Sequence, residues 1–157
     1  MTVTIDNVIP YFEAKATGDK TIKLSDYRGK TVVLYFYPKD STPSCTLEGQ
    51  DFRDNIAQFT ALNAIVLGVS RDSLKSHENF KCKQEFPFDL LSDADETLCQ
   101  LFDVIKMKNM YGKQVKGIER STFLIDPQGV LVREWRKLSA KGHCEQVLLA
   151  LSGSISA

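Results

Sequence analysis

The sequence predicts an α/β fold, one domain spanning residues 1–157 with a central mixed β-sheet flanked by helices and an N-terminal β-hairpin. Three observations predict it. The near-continuous apolar run Thr31 to Tyr37 has the pattern of a strand buried on both faces. A helical pattern from Pro43 to Ala61 and a second apolar strand, Ala64 to Ser70, follow it and complete a parallel β–α–β unit. Turn signals at Gly18-Asp19-Lys20 and at Asp126-Pro127-Gln128-Gly129 mark hairpins, so part of the sheet is antiparallel.

Taken in order, Pro10 to Leu24 alternates weakly about Gly18 and reads as the first hairpin. Ser25 to Gly29 is a turn or a single helical turn before the central strand. In the helix after it, Cys45, Gly49, Phe52, Ile56 and Phe59 recur at the spacing of one helical face. Pro43 suits the first helical position, where its missing N–H costs nothing, and Ser41 or Thr42 can cap the end. Ser73 to Gln84 reads as a second helix, capped by Asp72 or Ser73. A loop and short strand at Phe86 to Leu91 and a short helix at Asp95 to Phe102 follow. Asp103 to Gly117 is basic, lacks clear periodicity, and reads as a loop or an irregular hairpin. Arg120 to Ile125 and Val130 to Trp135 are strands joined by the second strong turn, and a final helix runs from about Gly142 to Leu151, with a frayed tail beyond.

Bulk properties exclude several classes of function. Twenty basic residues balance twenty acidic ones, so no nucleic-acid or anionic-membrane partner is indicated. No apolar run approaches the ~20 residues of a membrane helix, and Met1 to Asp6 lacks the features of a secretory signal. A cytoplasmic protein is expected. The four cysteines, Cys45, Cys82, Cys99 and Cys144, form no Cys-x-x-Cys pair, which argues against a thioredoxin-type dithiol and most zinc frameworks. In a reducing compartment they read as free thiols or a cycling pair.

The chemistry gathers at the strand–helix junction. A thiol in a first helical turn faces unpaired backbone N–H groups and the positive end of the helix dipole, which favour a thiolate. The Thr42 hydroxyl, three residues earlier, is placed to hydrogen-bond a thiolate or a bound oxygen atom. Cysteine is more often a buried structural thiol than a nucleophile. At this position, beyond the carboxyl end of a central strand where open α/β sheets bind ligands, the nucleophilic reading is the stronger one.

Pro38-x-x-x-Thr42-x-x-Cys45 resembles the active-site motif of the peroxiredoxins, thiol peroxidases on a thioredoxin-like fold. The wider text Tyr35 to Pro43, with Asp51-Phe52-Arg53, is similar to the bacterioferritin comigratory protein (peroxiredoxin Q) branch, and the resemblance runs from about Pro10 to Leu149. It implies that Cys45 is the peroxidatic cysteine and that Pro38 shields the thiolate from water. The segment Gly117 to Phe123 is similar to the one delivering the family's active-site arginine, which implies that role for Arg120 rather than that of a solvated charge. Glu48 is a favourable first-turn carboxylate, and in this branch a glutamate there helps to organise the site.

Many relatives place a resolving cysteine five residues after the peroxidatic one. Gln50 stands there, which excludes that arrangement. Other members carry it in the next helix, and the resemblance makes Cys82 the expected resolving cysteine, pointing outward if Phe80 packs inward. A thioredoxin-like dithiol protein is the implied reductant and peroxides are the implied substrates, with no cofactor, no metal, and a monomeric state common in the branch. Two competitors share the site: a peroxide sensor using the same cysteine, and a protein disulfide oxidoreductase, against which the missing Cys-x-x-Cys argues. Cys99 reads as core, Cys144 as a thiol at a helix start that could be reactive, and His77 and His143 as surface residues. Asp93-x-Asp95-Glu96 lacks the glycine and ligand spacing of a calcium loop.

Overall fold

The computed structural model describes residues 2–156. Fifteen elements follow one another, beginning with strands β1 (Glu13–Ala16) and β2 (Lys20–Lys23) and a single 3₁₀ turn (Leu24–Tyr27). Strand β3 (Thr31–Phe36), helices α1 (Pro43–Asp54) and α2 (Ile56–Ala61) and strand β4 (Ala64–Ser70) form the predicted crossover unit. After it come α3 (Leu74–Gln84), β5 (Asp89–Ser92), α4 (Thr97–Leu101), β6 (Ile105–Met110), β7 (Lys113–Ile118), β8 (Ser121–Ile125), β9 (Leu131–Trp135) and α5 (His143–Ser156).

Seven strands make one mixed sheet in the order β2-β1-β5-β4-β3-β8-β9. Strand β3 lies inside it, parallel to β4 and antiparallel to β8. Its alternate side chains enter two different cores. Val32, Leu34 and Phe36 join Phe12, Phe102 and Phe123 on one face, while Val33, Tyr35 and Tyr37 join Phe52, Phe59 and Phe80 on the other. All six of these β3-run residues are essentially inaccessible, which explains an apolar run with no polar interruption.

The predicted helix 43–61 is two helices. Asn55 breaks it: its side-chain amide donates to the Asp51 carbonyl at 2.8 Å, and its backbone N–H bonds Phe52 in place of a regular helical partner. The Cys45 face is otherwise as expected, with Cys45, Gly49, Phe52 and Phe59 buried. Ser73, not Asp72, caps α3, its hydroxyl accepting from the Ser76 N–H. The segment after Asp103 is a regular two-stranded hairpin, β6 with β7, separate from the main sheet. Helix α5 continues through Ser156 instead of fraying after Leu151; Ala157 lies outside the described residues. Asp93 is a cap rather than a cation ligand, accepting from the N–H groups of Leu98 and Cys99 at 2.9 and 2.7 Å.

Candidate active site

The parallel strand β3 ends at Phe36, and the Tyr37 N–H still bonds the Val69 carbonyl at 3.0 Å. Pro38 then ends the ladder, being unable to donate. Residues 37–42 turn through Ser41, held at φ 63°, and Pro43 opens α1. Cys45 is therefore the third residue of α1, at the carboxyl end of the central strand. The N–H groups of Ser44 and Cys45 have no acceptor within the helix; the first helical bond joins Thr46 N to Thr42 O at 2.9 Å.

Antiparallel pairing of β8 with β3 brings the arginine. The register ends with Phe36 opposite Ser121, so Arg120 stands beside the turn that leads to Cys45. Its guanidinium is only 12% exposed and forks between two partners. Nη2 donates to Cys45 Sγ at 3.3 Å and Nη1 to Glu48 Oε1 at 2.6 Å. Glu48, one turn after Cys45, is fully buried, and its other carboxyl oxygen has no hydrogen-bond partner. Burial pushes the Glu48 carboxyl up to about 7, although the Arg120 charge and hydrogen bond pull the other way. Burial also disfavours the Arg120 cation, but Glu48 and Cys45 outweigh it and hold the guanidinium above its ordinary value.

Thr42 is the N-cap residue by backbone position, yet its side chain caps nothing. The hydroxyl donates to the Lys39 carbonyl at 2.8 Å. Its proton is spent on the turn, which leaves its lone pairs to accept a hydrogen bond. Pro38 is half-buried directly after β3. Phe80 is buried and Cys82 exposed, as the helical spacing predicted, and both Cys45 and Cys82 are free thiols. The fold thus brings Cys45, Glu48 and Arg120 into one cluster and leaves Cys82 on the outer face of α3.

Three sequence readings need correction. Cys144 is buried, with its thiol 3.5 Å from the Asp51 carbonyl, and desolvation pushes it up to about 12, so its place at a helix start does not make it reactive. His143 and His77 are core residues. His143 is 1% exposed, bonds Thr122 Oγ1 through Nε2 at 2.8 Å, and is pulled down to about 4 by burial. His77 is wholly buried, with Nδ1 2.7 Å from Asp40 Oδ2 and Nε2 2.8 Å from the Leu91 carbonyl. Asp40, Asp72 and His77 bring ligand-type atoms within 4.8 Å of one another, but hydrogen bonds among themselves and with Tyr37, Ser70 and Ser76 already occupy those atoms. The sequence reading did not identify Asp40 or Tyr37. Tyr37 three residues before Asp40 was the only local signal, because the other partners come from distant segments.

Comparison with known proteins agrees with this geometry. The AhpC/TSA family model matches residues 5–134. Peroxiredoxin Bcp of Xanthomonas campestris is 57% identical over 135 residues, which are 86% of this chain and 84% of that one. Structures of the Xanthomonas campestris bacterioferritin comigratory protein superpose with a TM-score of 0.87 at 53% identity, covering 91% of each chain. A cysteine-to-serine mutant of Xylella fastidiosa PrxQ superposes with a TM-score of 0.94 at 46% identity, covering 99% of each chain. A cysteine at the mouth of a central strand, an arginine on its sulfur and these likenesses over nearly the whole length lead to one conclusion: the chain belongs to the AhpC/TSA family and is a thiol peroxidase of the Bcp/PrxQ peroxiredoxin type.

Proposed function

We propose that the 157-residue chain works as one domain in which Cys45 is the peroxidatic cysteine, Arg120, Thr42 and Pro38 form its pocket, and Cys82 is the resolving cysteine. The observation that carries the reading is the Arg120 fork, a permanent cation 3.3 Å from the Cys45 sulfur. The Cys45 thiolate attacks one oxygen of a hydroperoxide. An S–O bond forms, the O–O bond breaks, and the leaving oxygen departs as an alkoxide or hydroxide that takes up a proton. Arg120 and the Ser44 and Cys45 N–H groups face the charge that develops. Thr42, with its own proton on Lys39, accepts the hydrogen bond of the peroxide hydroxyl and so orients it. Alkyl peroxide reduction activity is ascribed to the Xanthomonas campestris relative, and organic hydroperoxides are proposed as substrates here together with hydrogen peroxide.

Cys45 sulfenic acid then condenses with a second thiol, and an external dithiol protein of the thioredoxin type reduces the disulfide. Cys82 is the only one of the other three thiols that is exposed, which favours it as the partner. Among the described residues no helix is long and apolar enough to cross a membrane, and a monomer in a reducing compartment is the proposed working form. The test is peptide mapping by mass spectrometry after one equivalent of peroxide, with free thiols alkylated. A Cys45–Cys82 disulfide is expected. Sulfenic acid on Cys45 with Cys82 alkylated would sink the pairing, and an unmodified Cys45 would sink its assignment as nucleophile.

A further inference from the structure

The turn between β3 and α1 is pinned to α3. Asp40, 6% exposed, is the pin. One of its carboxylate oxygens accepts from Tyr37 Oη at 2.6 Å. The other lies 2.8 Å from Ser76 Oγ, a donor, and 2.7 Å from His77 Nδ1. Its backbone N–H donates to Asp72 Oδ2 at 2.9 Å. The far ring nitrogen of His77 lies 2.8 Å from the Leu91 carbonyl, which can only accept, so Nε2 carries a proton. A second proton lies between Nδ1 and Asp40 Oδ2, since two lone pairs do not approach to that distance. The pair is a short hydrogen bond between two buried side chains, and such bonds are hard to break.

Asp40 precedes Cys45 by five residues, and His77 precedes Cys82 by five. The pin therefore joins two arms, each ending in a thiol. In the folded site Cys45 is buried under Arg120 while Cys82 faces solvent. A disulfide needs the two sulfurs to meet with their Cα atoms within about 7 Å, so the buried Cys45 thiol must come out from under Arg120. The arm that opens is the start of α1. Pro43 has no N–H to lose, and the helix loses the Thr46–Thr42 bond first. A five-residue arm, once extended, reaches roughly 17 Å from its fixed end. Cys82 lies roughly 7.5 Å along α3 from His77.

We infer that the Asp40–His77 pair is the pivot of resolution, staying shut while the start of α1 unwinds and keeping the Cys45 sulfenic acid within reach of Cys82. The inference rests on Cys82 as the resolving thiol. In the step it assists, an S–S bond forms between the two sulfurs and the S–O bond of Cys45 breaks. The hydroxyl leaves as water with the proton given up by the Cys82 thiol. Asp40 and His77 are positioning residues here. Without the pair, Asp40 keeps only its bonds with Tyr37, Ser76 and Asp72, and the turn is held to α3 less firmly. The effective concentration of one thiol at the other then falls.

The experiment separates the two steps by rapid mixing, acid quench and mass spectrometry of the Cys45 and Cys82 peptides. His77→Leu is expected to slow disulfide formation about tenfold, as loss of a short tether does. Sulfenic acid formation at limiting peroxide should stay within about twofold, and sulfinic acid should accumulate at high peroxide. His77→Asn, which keeps a donor where Nδ1 lies, should restore much of the rate. Asp40→Asn reads the same pivot if His77→Leu does not fold, with a slowing of about threefold. Resolution that is unchanged or faster overturns the pivot, as does an equal fall in both steps that His77→Asn leaves uncorrected. Absence of a Cys45–Cys82 disulfide in the wild-type protein shows itself before any variant is made, and overturns the pivot together with the assignment of Cys82.

Discussion

At the scale of the residue, the site turns on how one guanidinium divides its donors. Arg120 gives Nη2 to Cys45 and Nη1 to Glu48, which a planar fork does without moving. A lysine at the same place is a point charge on a flexible stem and cannot hold both partners in that geometry. Arg120→Lys should therefore lower the second-order rate constant for peroxide about 100-fold, the loss typical of one misplaced donor to a developing oxyanion. Stopped-flow oxidation under excess peroxide measures it, and a change under threefold would remove Arg120 from the reacting centre. The meeting of Arg120 with Cys45 was legible in the sequence, because both residues sit in text that resembles the family's. The burial of His77 was not. Its main partners, Asp40 and the Leu91 carbonyl, are 37 and 14 residues away, and its helix neighbours Ser76 and Glu78 are polar. His143 was hidden in the same way by Thr122, 21 residues distant, which lies on a strand opposite Tyr35.

At the scale of the element, α1 carries Cys45 and is seated by what it lacks. Gly49 has no side chain where the Phe86 ring passes; a Cβ there would lie 2.3 Å from Phe86 Cζ. Phe86 cannot easily yield, since it stacks on Phe88 at 5.0 Å and meets Phe80 edge-on. Gly49→Ala gains helix propensity of about 1 kcal/mol but overpacks a filled core, and the overpacking wins. A net loss of about 1–2 kcal/mol is expected in urea unfolding, and a more stable variant would show that the ring gives way. The amphipathic pattern of 43–61 predicted this buried face correctly. It could not show the break at Asn55, because the hydrophobic period runs through the break and only a side-chain bond to Asp51 marks it. Hairpin β6–β7 was ambiguous for a related reason. It packs outside the main sheet, with Ile118 buried at its base but Met107 and Val115 exposed further out, so burial does not impose alternation along its length.

At the scale of the whole molecule, one face of the sheet buries two titratable groups whose effects on stability oppose each other. Glu48 rises from 4.5 to about 7 and His143 falls from 6.5 to about 4, both through desolvation first. For Glu48 the folded value lies above the unfolded one. Folding then retains a proton that the unfolded chain has released, so its contribution is complete below pH 4.5 and is lost as pH rises through 7. For His143 the folded value lies below the unfolded one. Its contribution is complete above pH 6.5 and is lost as pH falls through 4. Each spans 2.5 pH units, or about 3 kcal/mol at 1.36 kcal/mol per unit. Over that shared window the two slopes cancel in the wild-type protein. Removing one group exposes the other. Relative to wild type, Glu48→Gln should become more stable as pH rises from 4.5 to 7, and His143→Gln should become more stable as pH falls from 6.5 to 4. Urea midpoints measured every half unit of pH test both slopes. Parallel curves for wild type and Glu48→Gln would mean that Glu48 titrates alike in the folded and unfolded chain, and that the Arg120 charge fully offsets the burial of its carboxylate.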